Sequence, residues 1–247
     1  MRLRSRLAFA LALVCAGLLA PGPAVAQTLS LDLGPDGSLT SQILQLIAVL
    51  TVVSLAPSIL VMVTSFTRIV VVLSLLRTAI GIQQSPPNSV LISLALFLTA
   101  FIMTPVFKEA YADGIRPLLD KEITQEQAFD RTAAPIHGFM IHHVREKDLG
   151  LFLKMSGAPA PQTAEDTPLT ALIPAFMISE LRRAFEIGFL LFLPFLIIDL
   201  VIASVLMAMG MMMLPPIIVS LPFKLIFFVL VDGWFLVAGS LVESFAK

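Results

Sequence analysis

Asp199, Lys224 and Asp232 are the side chains whose placement demands a chemical account. Asp199 falls within the apolar run 187–209, and Lys224 and Asp232 fall within the run 217–242. A charge at bilayer depth costs about 2.5–3.5 kcal/mol on insertion scales, so such groups face a bundle interior or an aqueous path. Two chemistries suit them, structural ion pairing and proton relay. A hairpin whose tip lies near Met213 puts Asp199 about fourteen residues before the tip and Lys224 about eleven after it. An antiparallel arrangement with a few residues of slippage then brings them close.

Other polar groups offer less. Glu180, Arg182, Arg183 and Glu186 interrupt an apolar segment, with Glu186 within helical pairing range of both arginines. Beside lipid an unpaired charge is costly, so these groups are expected to face protein or water. His137, His142 and His143 lack metal-site spacing, and a solvated loop accounts for them. No G-x-S-x-G, G-x-x-x-x-G-K-[ST] or G-x-G-x-x-G pattern occurs, and Cys15 stands alone. The reading is a non-enzyme without cofactor or metal.

A different chemistry resides in 207–213, MAMGMMM, followed by Leu214-Pro215-Pro216. Methionine is unbranched and polarizable, so a cluster that includes Met211, Met212 and Met213 can repack against varied surfaces. The two prolines predict that the incoming helix stops near Leu214. The expectation is a soft collar at a helix break.

The elements that must hold these residues follow from composition. Of 247 residues, 57% are hydrophobic and only 13% charged, with a mean hydropathy of +0.95, which points to a multi-pass membrane protein. A net charge of -1 gives no global basic field for nucleic acid. Residues 1–26 combine Arg2, Arg4 and Arg6, a short apolar stretch and small residues, predicting a signal peptide cleaved between Ala26 and Gln27.

A leader, 27–42, precedes a first hydrophobic helical hairpin, 43–107, in which Pro57 is expected to introduce a kink and QQSPPNS to form the turn. Arg68 and Arg77 within it suit positive-inside anchors or subunit contacts. The stretch 108–173 is a polar insertion of short amphipathic helices. Its 108–168 portion holds seven basic and ten acidic residues, net -3, which suits the outer side. A second hydrophobic hairpin, 174–247, carries the methionine tip. The fold class is therefore an all-α membrane protein: a signal peptide, then kinked hydrophobic helical hairpins with one polar extracytoplasmic insertion.

Two stretches carry a family resemblance. PAFMISEL, with Pro174, Phe176 and Glu180, continues through Phe185 and Gly188; Pro222-Phe223-Lys224-Leu225 leads to Asp232, Gly233 and Trp234. Both resemble signature stretches of the flagellar biosynthetic protein FliP family, which includes matching components of virulence type III secretion systems. The resemblance extends over 43–245, and its overall wording favours the flagellar branch. It implies a pore-forming core subunit of the flagellar export gate in the bacterial inner membrane and flagellar basal body. The implied partners are further copies of itself in a homo-oligomeric ring, Q-type and R-type subunits, other export-apparatus membrane proteins, membrane lipid and unfolded flagellar substrates. Met211, Met212 and Met213 match the family's gasket. The family's apolar helices also form a conical assembly lying largely above the membrane plane. Two alternatives are a secondary transporter of a small solute or proton using Asp199, Lys224 and Asp232, and a scaffold for basal-body assembly that does not line the channel.

Overall fold

A computed structural model describes residues 39–82, 85–157, 161, 163–211 and 213–246, with backbone alone for 39–42 and 56. The signal-peptide reading, with Ala26 and Gln27, and Met212 lie outside the described residues. Every regular element among the described residues is helical. The chain divides into the units Met1–Thr51 and Val52–Lys247, and helix α1, Leu39–Met62, is uncharged from its first residue to its last. From Ile43 to Met62 it is long and apolar enough to cross a bilayer.

In the larger unit, helix α2, Phe66–Ile80, is the central strut. Ile69, Val72, Leu73, Leu76, Ala79 and Ile80 are buried along it. Their three- and four-residue spacing makes one continuous apolar face, which packs most extensively on the long helix Leu169–Ala208. Gly81 closes α2 with φ +91, a backbone that glycine adopts without steric penalty. Pro87 then leads into α3, Asn88–Ala110.

The second span extends beyond its expected end near Phe107. A π-helical turn, Tyr111–Ile115, and helix α4, Arg116–Leu119, carry it on, so the apolar helical segment runs from Asn88 to Leu119. Close packing explains the extension: a Cβ at Gly114 would lie 2.1 Å from the Thr132 hydroxyl oxygen and 2.8 Å from the Thr132 backbone nitrogen. Thr132 belongs to α5, Gln125–His143, which starts with a capping box between Thr124 and Gln127. Helix α6, Glu146–Ser156, completes the helical part of the polar insertion. Val63, Met103, Phe139, Met140, Leu172 and Phe176 form a second core that joins this insertion to the apolar helices.

Helix α7, Leu169–Ala208, has 40 residues, about 60 Å at 1.5 Å per residue. It begins well before the expected span and continues through Pro174 and Pro194. Burial of Ala184 and Phe195 in the α2 core holds it across the missing backbone donor at Pro194. The helix also ends earlier than predicted, at Ala208 rather than near Leu214. Gly210, at φ +72, closes it: the Met211 N–H donates to Leu206 O at 2.9 Å and the Gly210 N–H to Met207 O at 3.0 Å. These bonds form the paired glycine cap of a helix end, so glycine, not proline, terminates α7.

Pro215 and Pro216 instead start α8, Pro216–Leu230. Helix α9, Gly233–Glu243, follows after a 63° bend, and the two together make the fourth candidate span.

Candidate functional site

The hairpin of α7 and α8 is locked near its tip by polar side chains. Ser220 and Lys224 lie one turn apart on α8. The Ser220 hydroxyl donates to Asp199 Oδ1 at 2.5 Å, and Lys224 Nζ donates to Asp199 Oδ2 at 2.6 Å. Lys224 is only 4% exposed and donates also to Ala79 O at 3.2 Å. That carbonyl belongs to the last turn of α2, where a cation complements the negative helix end. One ammonium therefore joins α2, α7 and α8, and its charge is balanced by Asp199, which is half-buried.

Asp232 departs from the expected group of buried charges. It is exposed at the bend between α8 and α9, with φ +51 and ψ +52. The chain turns there, so the carboxylate points out of the packed hairpin, and left-handed backbone is tolerated better by aspartate than by most residues.

Beyond the lock, the tip is open and apolar. Met207, Met209, Met211 and Met213 are all exposed, Met213 to 99%, together with Leu214, Ile217 and Ile218. From Leu206 to Val219 the sequence contains no side-chain hydrogen-bond donor. The surface is consequently thioether and aliphatic.

The family-like stretches sort by packing. Phe176 and Glu180 are fully buried. A Cβ at Gly188 would stand 2.3 Å from Leu75 Cδ1, so glycine permits the close approach of α2 and α7. At Gly233 it would stand 2.1 Å from the Phe228 ring, which also meets Trp234 edge-on at 5.4 Å. Pro174 lies within α7, half-buried, while Phe185 and Pro222 face outward.

Sequence reasoning missed the partners of Arg68 and Glu180. Arg68 makes two hydrogen bonds to Glu180, one of them at 2.8 Å from Nε, and two more from Nη1 to the Ser244 carbonyl and hydroxyl at 3.1 and 3.0 Å. The Phe245 ring lies 3.6 Å from the Arg68 guanidinium carbon, as a cation–π contact. Arg68 is thus a core residue rather than a membrane-side anchor. Arg77, at the other end of α2, reaches Asn88 and the Pro86 carbonyl across the turn. The available signal was a carboxylate, Glu180, set early in one apolar run and a guanidinium, Arg68, set early in another; the nearby Arg182–Glu186 pair obscured it. That pair exists at 2.9 Å and is exposed.

Ser179, next to Glu180, holds the polar insertion. Its hydroxyl donates to Asp148 Oδ2 at 2.7 Å and accepts from the Arg145 N–H at 3.1 Å. Burial pushes the Asp148 carboxyl up, but the Ser179 hydroxyl and the Arg145 guanidinium outweigh it, leaving the group below the usual carboxylate range. The histidines are helical rather than in a loop. His137 Nε2 lies 2.8 Å from Thr167 O, and His143 Nδ1 lies 2.7 Å from Phe139 O; capping and apolar packing of α5 override the loop reading.

This arrangement defines a multi-pass helical membrane protein whose inward-facing charges fasten helices together and leave an apolar tip free. The model of the FliP family matches residues 49–241. Flagellar biosynthetic protein FliP of Caulobacter vibrioides is 62% identical over 96% of this chain and 88% of its own length. The namesake proteins of Bacillus subtilis and Aquifex aeolicus are 53% and 50% identical, each over 85% of this chain, covering 95% and 88% of their own lengths. The chain belongs to the FliP family, and is a non-enzymatic inner-membrane component of the flagellar export apparatus.

Proposed function

We propose that the chain is a pore-forming core subunit of the flagellar type III export gate, and that Met211, Met212 and Met213 are its gasket. In this reading several copies form a ring with Q-type and R-type subunits, unfolded flagellar proteins pass through the centre, and 108–173 lies on the periplasmic side after removal of 1–26. The observation that carries it is the exposed thioether and aliphatic tip on a hairpin fastened by Lys224 and Asp199. Rigid support with a soft end suits a seal that must close on itself and also around varied chains. The transporter alternative needs titratable groups open to a path, whereas Lys224 is buried against Asp199 and a carbonyl.

The test replaces Met211, Met212 and Met213 together by Ala or Gly in the assembled complex. Ion or small-solute leakage is expected to rise with assembly intact. Unchanged leakage in an intact assembly removes these residues from the seal and favours the scaffold alternative.

A further inference from the structure

We infer that Ser244 and Phe245, in the turn that follows α9, are a clasp that couples the buried Arg68–Glu180 pair to the end of the polar insertion, so that the pair and the last turn of α5 are ordered or released together. The inference uses contacts within one chain and is independent of the gasket reading.

Satisfaction of Arg68 is the first ground. A guanidinium carries five N–H donors and no acceptor. Nε and Nη2 serve Glu180, while Nη1 serves the Ser244 hydroxyl and carbonyl at 3.0 and 3.1 Å. Arg68 is buried, and the Phe245 ring covers its face. Lifting the clasp takes both acceptors from Nη1 in a site that is otherwise dry, which is costly. Parting Glu180 from Arg68 under a closed clasp is costly too, because it leaves a buried guanidinium without its counter-charge. Both half-way states are penalised. Clasp and pair therefore open together, with water taking the vacated donors.

The second ground is the place of Phe245. Among the described residues it alone packs against both apolar cores. Its ring contacts Phe139 and His143, both in the last turns of α5, and Phe139 in turn meets Phe176 of α7 edge-on at 5.9 Å. The Ser244 hydroxyl bonds elsewhere: it accepts from Arg68 and donates to Leu241 O at 2.7 Å. Helix α9 is anchored upstream of the clasp by Val237 and Leu241 in the first core. The turn can thus lift as a local unit while the helix stays packed.

Hydrogen exchange of the detergent-extracted full chain, read by peptide mass, tests the coupling. Ser244→Ala removes an acceptor of Arg68 and no hydrogen bond to α5. Exchange is expected to rise severalfold in both 68–73 and 136–143, while 217–230 in α8 stays parental. Phe245→Ala should raise the same two segments further, and Phe245→Tyr, which keeps the ring, should stay near the parent. In an Arg68→Met, Glu180→Met background, Ser244→Ala should leave 136–143 at the level of that background, because no guanidinium remains to carry the effect. A Ser244→Ala variant that changes 68–73 alone overturns the inference, since contact without coupling gives that result. An equal rise in α8 overturns it as a general loss of packing, and parental exchange in both segments overturns it as well. Should Phe245→Ala fail to fold, Ser244→Ala still decides.

Discussion

Arg68 and Glu180, 112 positions apart in sequence, form a two-pronged ion pair in which both side chains are nearly sealed from solvent, at 2% and 0% exposure. The pair fastens α2 to α7, and Ser244 and Phe245 cover it from the end of the chain. Phe245 also stacks on Phe139 at 6.0 Å and meets His143 at 5.2 Å. The buried pair consequently lies where α2, α7, the chain's last residues and the polar insertion converge.

Removing one member leaves the other buried without its counter-charge. Arg68→Ala is expected to destabilise the protein by about 3–5 kcal/mol, while Arg68→Met with Glu180→Met costs far less because no buried charge remains. Thermal unfolding of the detergent-solubilised protein measures both. A single variant as stable as its parent would show that the pair contributes nothing to folding.

Lys224 and Asp199 can be tested by exchange. Lys224→Asp and Asp199→Lys should each impair assembly with partner subunits, and the double variant should partly restore it. Recovery stays partial because the new aspartate at 224 would face the Ala79 carbonyl, which Lys224 now satisfies. Native mass of the extracted complex provides the readout; a double variant no better than the singles would assign each residue a different essential partner.

Close approach predicts an asymmetry between glycines. Gly188→Ala drives a methyl into Leu75 and is expected to cost about 1–3 kcal/mol. Gly239→Ala, where a Cβ meets nothing within 4 Å, should be neutral or stabilising by about 0.5–1 kcal/mol within its helix. Equal melting temperatures for the two variants would contradict the packing.

Acid should loosen the polar insertion. The Asp148 carboxyl titrates lower in the folded chain than its usual value of about 4 when unfolded. Its contribution is fully present above that unfolded value and is lost as pH falls through the lower, folded one. Ser179→Ala removes a donor to the carboxylate and should shrink this acid-sensitive component, and Asp148→Asn should abolish it. Protease sensitivity of α5 and α6 against pH reads the effect; a parental profile in Asp148→Asn would assign the acid response to another group.

Much of this molecule is written in local patterns. Long uncharged runs announce the membrane helices, and the methionines with their two prolines announce a break. Where the helix stops was harder: both prolines and Gly210 are stop signals, and the completed glycine cap takes effect first along the chain. Pro194 misleads for a related reason, since its local cost is outweighed by the packing of Phe195 and its neighbours on α2.

By itself, the sequence determined the helical membrane class, the family and an apolar methionine-rich tip, because hydropathy and short motifs are properties of contiguous residues. Hairpin counting also placed Asp199 near Lys224, a pair the structure contains, but the other long-range charge contacts were decided by the tertiary structure. Arg68 finds Glu180 and not a membrane surface, Lys224 binds Asp199 and the end of α2 together, and Asp232 is turned outward. Those outcomes depend on how helices rotate and cross, and that is set by the burial of many apolar side chains and by the close contacts that Gly114 and Gly188 permit.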